Sequence, residues 1–280
     1  MKLLRAGPQG QERPAVVDDT GAIRDLSGKV ADFAGEGISF GAVNAIRDLD
    51  LSTLPEISPD ERVGCALAWV PNFFCVGLNY AKHAAETGAK PPAEPIIFSK
   101  ATSALSGPFD DVIIPRNSQK SDWEVELGVV IGKHTQYVSE AEALDSVVGY
   151  CTINDVSERA FQIERGGQWI KGKSAPTFGP VGPWVVTADE IADPQDLPVS
   201  LSLNGKTVQN SNTSDMIFSV AEIISHMSQF MVLQPGDIIA TGTPEGVGMG
   251  MKPQTYLKPG DVMDVEVAGL GAQRQTTVAA

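Results

Sequence analysis

The stretch Trp123-Glu124-Val125-Glu126-Leu127-Gly128-Val129-Val130-Ile131 decides how the rest of the chain is read. Side chains alternate faces along a strand, so Glu124 and Glu126 project to one side. Trp123, Val125, Leu127, Val129 and Ile131 then form an apolar stripe on the other. Taken alone, Glu-x-Glu on a strand is an ordinary solvated face. About thirty residues on, however, stands Asn154-Asp155. If Asp155 comes close, three carboxylates make an oxygen-only, strongly negative pocket. Hard divalent ions such as Mg²⁺, Mn²⁺ or Ca²⁺ favour that kind of site.

Composition narrows the function classes. The chain has 280 residues, of which 42% are hydrophobic. That is enough for one large domain, or one large and one small. A net charge of −14 makes nucleic acid and anionic membrane poor partners for the molecule as a whole. The three cysteines, Cys65, Cys75 and Cys151, are sparse and odd in number, which argues against a disulfide framework and a cysteine zinc site. The three histidines, His83, His134 and His226, contain no His-x-x-x-His pair, so zinc is not expected. No apolar run reaches eighteen residues. The expectation is a soluble cytoplasmic protein.

Working outward, residues 1–70 read as a small N-terminal domain and 71–280 as a larger, β-rich one. Strand candidates Lys2–Leu4 and Ala15–Val17 precede the turn at Asp18-Asp19-Thr20-Gly21. The polar stretch from Leu51 to Val63 reads as a linker. From Asn72 onward, short apolar runs alternate with Gly, Pro, Asn and Asp punctuation. They occur at residues 73–77, 96–99, 112–115, 124–131, 147–153, 184–187, 199–203, 237–240 and 262–267. The fold class is mainly β with some α. The best helical periodicity runs from Asp215 to Met231, with Ser214 as cap. His226, beside its apolar face, reads as a packing or surface residue.

Two glycine motifs mislead. Gly167-Gln168-Trp169-Ile170-Lys171-Gly172-Lys173-Ser174 matches the P-loop letter for letter. A true P-loop follows a buried strand and opens a helix. Here a polar stretch precedes it and Ala175-Pro176-Thr177-Phe178-Gly179-Pro180 follows, which cannot be a helix. Gly246-Val247-Gly248-Met249-Gly250 has the outline of a dinucleotide loop, but its third glycine is misplaced and no helix follows.

Five segments, in order, carry a resemblance. They are Gly77-Leu78-Asn79-Tyr80-Ala81-Lys82-His83-Ala84-Ala85-Glu86, Pro95-Ile96-Ile97-Phe98-Ser99-Lys100, Trp123 to Gly132, Asn154-Asp155-Val156-Ser157-Glu158-Arg159, and Gly236 to Gly248 with Thr241-Gly242-Thr243-Pro244 at its centre. Over residues 72–270 the chain resembles the fumarylacetoacetate hydrolase family. The resemblance implies a mixed β-roll, a homodimer, and a Mg²⁺ or Mn²⁺ site. It also implies an enzyme that cleaves or decarboxylates 2-oxo or 1,3-dicarbonyl acids, and the expected substrate is a small-molecule 2,4-dioxo acid. Glu124, Glu126 and Asp155 take the positions of the metal carboxylates. His83 and Glu86 take those of an acid–base pair on a mobile lid, with Lys100 and Lys173 as further catalytic groups. Tyr80, Arg159, Gln162 and Thr243 fall around the substrate.

The residues support these roles independently. Asn79 can cap a short helix on which His83 and Glu86, three apart, share a face. Glu86 can then orient the imidazole for general-base work. Lys173 can offset the carboxylates, and Trp169, Ile170 and Phe178 around it suggest burial. The backbone N–H groups of the Thr241–Pro244 turn could hold a substrate carboxylate. The opening Met1-Lys2-Leu3-Leu4-Arg5, Asp122-Trp123-Glu124-Val125-Glu126 and the Gln168–Ser174 segment are similar to hydrolases of 2,4-diketo-3-deoxy-L-rhamnonate or L-fuconate, which yield pyruvate and lactate. Acylpyruvate hydrolysis and oxaloacetate-type decarboxylation are the alternatives within the same fold.

Overall fold

The computed structural model describes residues 1–280 as a mixed, sheet-rich fold with few helices. Its centre is a ten-stranded sheet. In spatial order the strands are Glu56–Ile57, Ile23–Asp25, Arg13–Val17, Lys2–Ala6, Val185–Thr187, Val147–Asn154, Val125–Ile131, Ile238–Ala240, Phe73–Gly77 and Ile96–Lys100. A second, five-stranded sheet runs Lys206–Asn212, Pro198–Leu203, Val262–Val267, Gly271–Ala279 and Val112–Ile114.

The alternation read from the central strand is what builds the layers. Trp123, Val125, Leu127, Val129 and Ile131 pack into one core with Val199, Leu201, Met263 and Val265 of the second sheet. Ile223, Ile224 and Met227, from the helix Val220–Ser228, close the same core. Val130, of opposite parity, belongs to another core with Leu3, Phe33, Ile38, Val43 and Ile46. Both faces of the central strand are therefore covered, and Glu124 and Glu126 are buried rather than solvated.

Three local expectations change. The polar stretch from Leu51 to Val63 does not hang free. It contains the edge strand Glu56–Ile57, whose Ile57 is buried against the neighbouring hairpin. The helix expected from Asp215 begins only at Val220. Asn79 O accepts from Ile217 N (2.7 Å) and Asn79 Oδ1 from Phe218 N (2.8 Å), which pins that segment beside another chain stretch and keeps it out of the helix. Ser219, not Ser214, is the cap. Its hydroxyl accepts from Glu222 N while Glu222 Oε2 accepts from Ser219 N, a reciprocal capping box. Lastly, Tyr80 rather than Asn79 occupies the cap position of the helix Ala81–Thr87, with no side-chain cap bond.

No helix is long and apolar enough to cross a membrane.

Candidate metal and acid–base site

Register places the acid cluster. The strand Val125–Ile131 pairs antiparallel with Val147–Asn154, Val125 opposite Asn154. Asp155, the next residue, donates its N–H to Glu124 O at 2.9 Å. Carboxylate oxygens of Glu124, Glu126 and Asp155 consequently lie within 4.8 Å of one another. Solvent reaches at most 4% of any of the three.

Basic groups close around this cluster unequally. Lys173 Nζ donates to Glu124 Oε2 (2.6 Å) and Asp155 Oδ2 (2.7 Å). Lys100 donates to Asp155 Oδ1 and, at 3.1 Å, to Val156 O. One guanidinium nitrogen of Arg159 pairs with Glu124 Oε1 at 2.7 Å, and its Nε donates to Asp122 Oδ2 at 2.9 Å. Glu126 has no basic partner; its one hydrogen bond comes from Gly242 N–H at 2.7 Å.

The protonation pattern follows. Burial raises the Glu124 carboxyl, but Lys173 and Arg159 outweigh it and hold the group at about 2. Burial, with Asp155 and Glu124 beside it, pushes Glu126 well above the carboxylate range. Lys173 is driven down by burial and up, more strongly, by Asp155 and Glu124, so it stays charged. Four carboxylates, counting Asp122, thus face three cations, and Glu126 carries the uncompensated charge. A proton on Glu126 restores balance, and so does a dication. An all-oxygen donor set with one unmatched carboxylate fits Mg²⁺ or Mn²⁺. A dication in that position leaves one surplus positive charge, which suits an anionic substrate.

A cavity of about 280 Å³ opens onto the cluster. Its wall carries Glu124, Glu126, Arg159, Gln162, Lys173 and Thr243, together with His83. His83 Nδ1 is 2.8 Å from Glu86 Oε1, which leaves Nε2 for the cavity. Phe98 and Trp169 meet edge to face at 5.2 Å and form an apolar wall.

The structure brings together ten of the eleven residues singled out from the sequence, in two shells. Lys100 stands behind Asp155, off the cavity wall. Tyr80 is the exception. It is fully buried, its hydroxyl has no partner, and it does not line the cavity. Its backbone bridges Met216, and burial, with the charges of Glu126, Asp215 and Glu245, raises its hydroxyl above the ordinary phenol range.

Two of the neighbouring segments take more definite roles. Asn79 is a clamp rather than a cap: its amide donates to Phe218 O (3.0 Å) and Thr241 O (2.8 Å). In the Thr241–Pro244 turn, the N–H groups of Thr241 and Gly242 are committed to Leu127 O and Glu126, so the expected carboxylate contact narrows to Thr243, which lines the cavity. The P-loop look-alike has its own explanation. Ile170–Lys173 is a single helical turn, and a Cβ on Gly172 would lie 2.5 Å from Gln162 N and Glu158 O. The glycine allows two helical turns to touch and so delivers Lys173 to the carboxylates. Sequence reasoning missed the role of Asp122. It adjoins Trp123-Glu124-Val125-Glu126, but nothing in its spacing reveals the Arg159 contact.

These features define a buried, metal-competent carboxylate cluster facing a histidine–glutamate pair on a mixed β-roll. The family model described as fumarylacetoacetate (FAA) hydrolase C-terminal matches residues 72–278, and the chain belongs to that family. It is 54% identical, over the whole of both chains, to a Burkholderia multivorans protein whose name goes no further than hydrolase. Among solved structures it is similar to 2-hydroxyhepta-2,4-diene-1,7-dioate isomerase from Mycobacterium marinum, with 32% identity, a TM-score of 0.78, and coverage of 100% of this chain and 98% of that one. It is also similar to maleylpyruvate hydrolase from Sphingobium sp. SYK-6, solved with manganese(II) and pyruvate, with 29% identity, a TM-score of 0.82 and full coverage of both chains.

Proposed function

We propose that this protein hydrolyses the C3–C4 bond of a 2,4-dioxo acid with Mg²⁺ or Mn²⁺ held by Glu124, Glu126 and Asp155. The particular substrate we propose is 2,4-diketo-3-deoxy-L-rhamnonate or its L-fuconate counterpart, giving pyruvate and L-lactate. One observation carries the reading: His83, hydrogen-bonded to Glu86, lines the same cavity as Glu124 and Glu126 of the acid cluster. A bound dication supplies Lewis acidity toward the oxygens of the 2-oxo acid end.

The residues then have the following work. Arg159 and Lys173 attract and orient the substrate carboxylate. His83 Nε2, its ring held by Glu86, takes a proton from water, and the hydroxide adds to the C4 carbonyl carbon. The C3–C4 bond breaks with its electron pair going to C3. His83 returns the proton there, so pyruvate and a second carboxylic acid leave. The apolar wall of Phe98 and Trp169 limits bulk water.

We also propose that residues 1–70 form an N-terminal unit joined to the catalytic unit 71–280 through the ten-stranded sheet, supported by the family match beginning at residue 72. The likeness to the family is the support for a cytoplasmic homodimer.

The test is a product assay. EDTA-treated protein receives each diketo sugar acid, an acylpyruvate and oxaloacetate, with and without Mn²⁺. Equal pyruvate and lactate from a diketo sugar acid, only with metal, is expected, and Glu126→Ala should abolish it. Pyruvate with CO₂ from oxaloacetate alone would replace hydrolysis by decarboxylation.

A further inference from the structure

The Gly246-Val247-Gly248-Met249-Gly250 loop lies between the two halves of the site and touches both. Glu86 divides its carboxylate: Oε1 meets His83 Nδ1 at 2.8 Å, and Oε2 accepts from Gly246 N–H at 3.0 Å. Further along the loop, Gly248 N–H and Met249 N–H donate to Asp122 Oδ1 (2.7 Å) and Oδ2 (3.0 Å). Asp122 receives Arg159 Nε, and Arg159 pairs with Glu124. A continuous series of polar contacts therefore runs from the imidazole, through one loop, to the acid cluster.

The third glycine completes the seat. A Cβ on Gly250 would lie 2.6 Å from Cδ and Oε2 of Glu86. The carboxylate rests on the bare Cα. We propose that this loop is a positioning element of the reaction: it fixes Glu86, and through Glu86 the ring of His83, at a set distance from the carboxylates that Asp122 and Arg159 anchor. Gly250 is the positioning residue. The inference rests on the reading that His83 and Glu86 perform the acid–base step.

Gly250 is also the glycine at which the idea can be tested cleanly. Gly246 has φ +97°, and a Cβ there would stand 1.9 Å from Val208 O; at Gly248 it would stand 1.9 Å from Thr255 O. Substitution at either collides with backbone. Gly250 lies outside the left-handed region, and the three atoms nearest to a methyl added there all belong to the movable end of Glu86. Gly250→Ala therefore leaves the backbone unstrained and displaces the Glu86 carboxylate by roughly the 1 Å that is enough to cost about 100-fold in rate.

The experiment combines a substrate-free and a kinetic readout on the full chain loaded with Mg²⁺. Long-range ¹H–¹⁵N spectra of histidine-labelled protein show three imidazoles, one of which His83→Ala assigns. Gly250→Ala should move the His83 signals toward their positions in Glu86→Ala while His134 and His226 stay in place. It should lower kcat 10- to 100-fold with KM within twofold, and add nothing further in a Glu86→Ala background. Unmoved His83 signals in Gly250→Ala, or rate losses that multiply in the double variant, would overturn the seat. If Glu86→Ala instead turns over at the full rate, the acid–base reading falls, while the His83 spectra still decide whether the loop positions Glu86.

Discussion

Replacing Lys173 by Met tests the electrostatic logic of the site without needing a substrate. The ammonium lies 2.6 and 2.7 Å from oxygens of two buried carboxylates. The methionine fills similar space with no charge. Glu124 keeps Arg159 and Asp155 keeps Lys100, so neither carboxylate is left alone. Breaking a buried pair costs about 3–5 kcal/mol, and the remaining partners place this case near the lower figure, about 3 kcal/mol. For a chain of this size that corresponds to a fall in Tm of roughly 5 °C. The metal dependence is the discriminating part. Two unit charges 4 Å apart interact by about 4 kcal/mol at an effective dielectric of 20, so a dication entering the more negative pocket can recover the loss. Thermal unfolding of both proteins in EDTA, and again with saturating Mn²⁺, should show a wide gap that largely closes with metal. Identical melting in EDTA would mean that Lys173 compensates nothing. A gap of the same width under both conditions would show that the dication binds somewhere other than among these carboxylates.

Other expectations follow from single contacts. His83→Ala should lower kcat strongly while calorimetric Mn²⁺ affinity stays within about twofold; unchanged kcat would remove His83 from the chemistry. Asn79→Ala deletes three hydrogen bonds, to Phe218 N, Phe218 O and Thr241 O, and should cost about 3 kcal/mol in urea unfolding at roughly 1 kcal/mol each. Arg62 joins Glu12 (2.7 Å) to Asp110 (2.5 Å). Burial raises Glu12, but Arg62 and Arg5 outweigh it and lower its pKa below the unfolded value. A depressed carboxylate stabilises the fold above the unfolded pKa of about 4.3 and loses that contribution as pH falls. Arg62→Ala should therefore flatten the decline of stability below about pH 4.3, read from denaturation midpoints across pH; a decline as steep as that of the unsubstituted protein would refute the contribution.

The central strand was legible because both periodicities agree there. Residues from Trp123 to Ile131 alternate cleanly, and the two cores divide along the same parity. Glu124, Glu126 and Asp155 could be grouped because antiparallel pairing makes residues thirty apart into neighbours. Strands Lys206–Asn212 and Gly271–Ala279 were not legible. Their sequences are largely polar, since one face of the second sheet meets solvent and glutamines fill part of the other. The helix start was misplaced although its signal was present: Ser219 followed by Glu222 is a capping box, and Ser214 has no such partner. Lys173 was found by resemblance within a polar segment that local chemistry assigns to a loop. The Glu86 seat depends on a glycine more than 160 residues away, a relation no local pattern encodes.

The pairing of Lys2–Ala6 with Val185–Thr187 has a consequence for how the chain is made. The first strand is synthesised early, yet its partner on the inner edge appears about 180 residues later. At typical translation speeds of roughly 5–20 residues per second, the wait is on the order of 10–40 s. During that interval the Lys2–Val17 hairpin carries an open, apolar edge, with Leu3, Leu4, Ala15 and Val16 all destined for the interior. Nascent chains of this protein should recruit holding factors up to the point where Thr187 leaves the ribosome, and shed them soon after. A profile of chaperone occupancy against chain length would show that step near residue 187 plus the length of the exit tunnel.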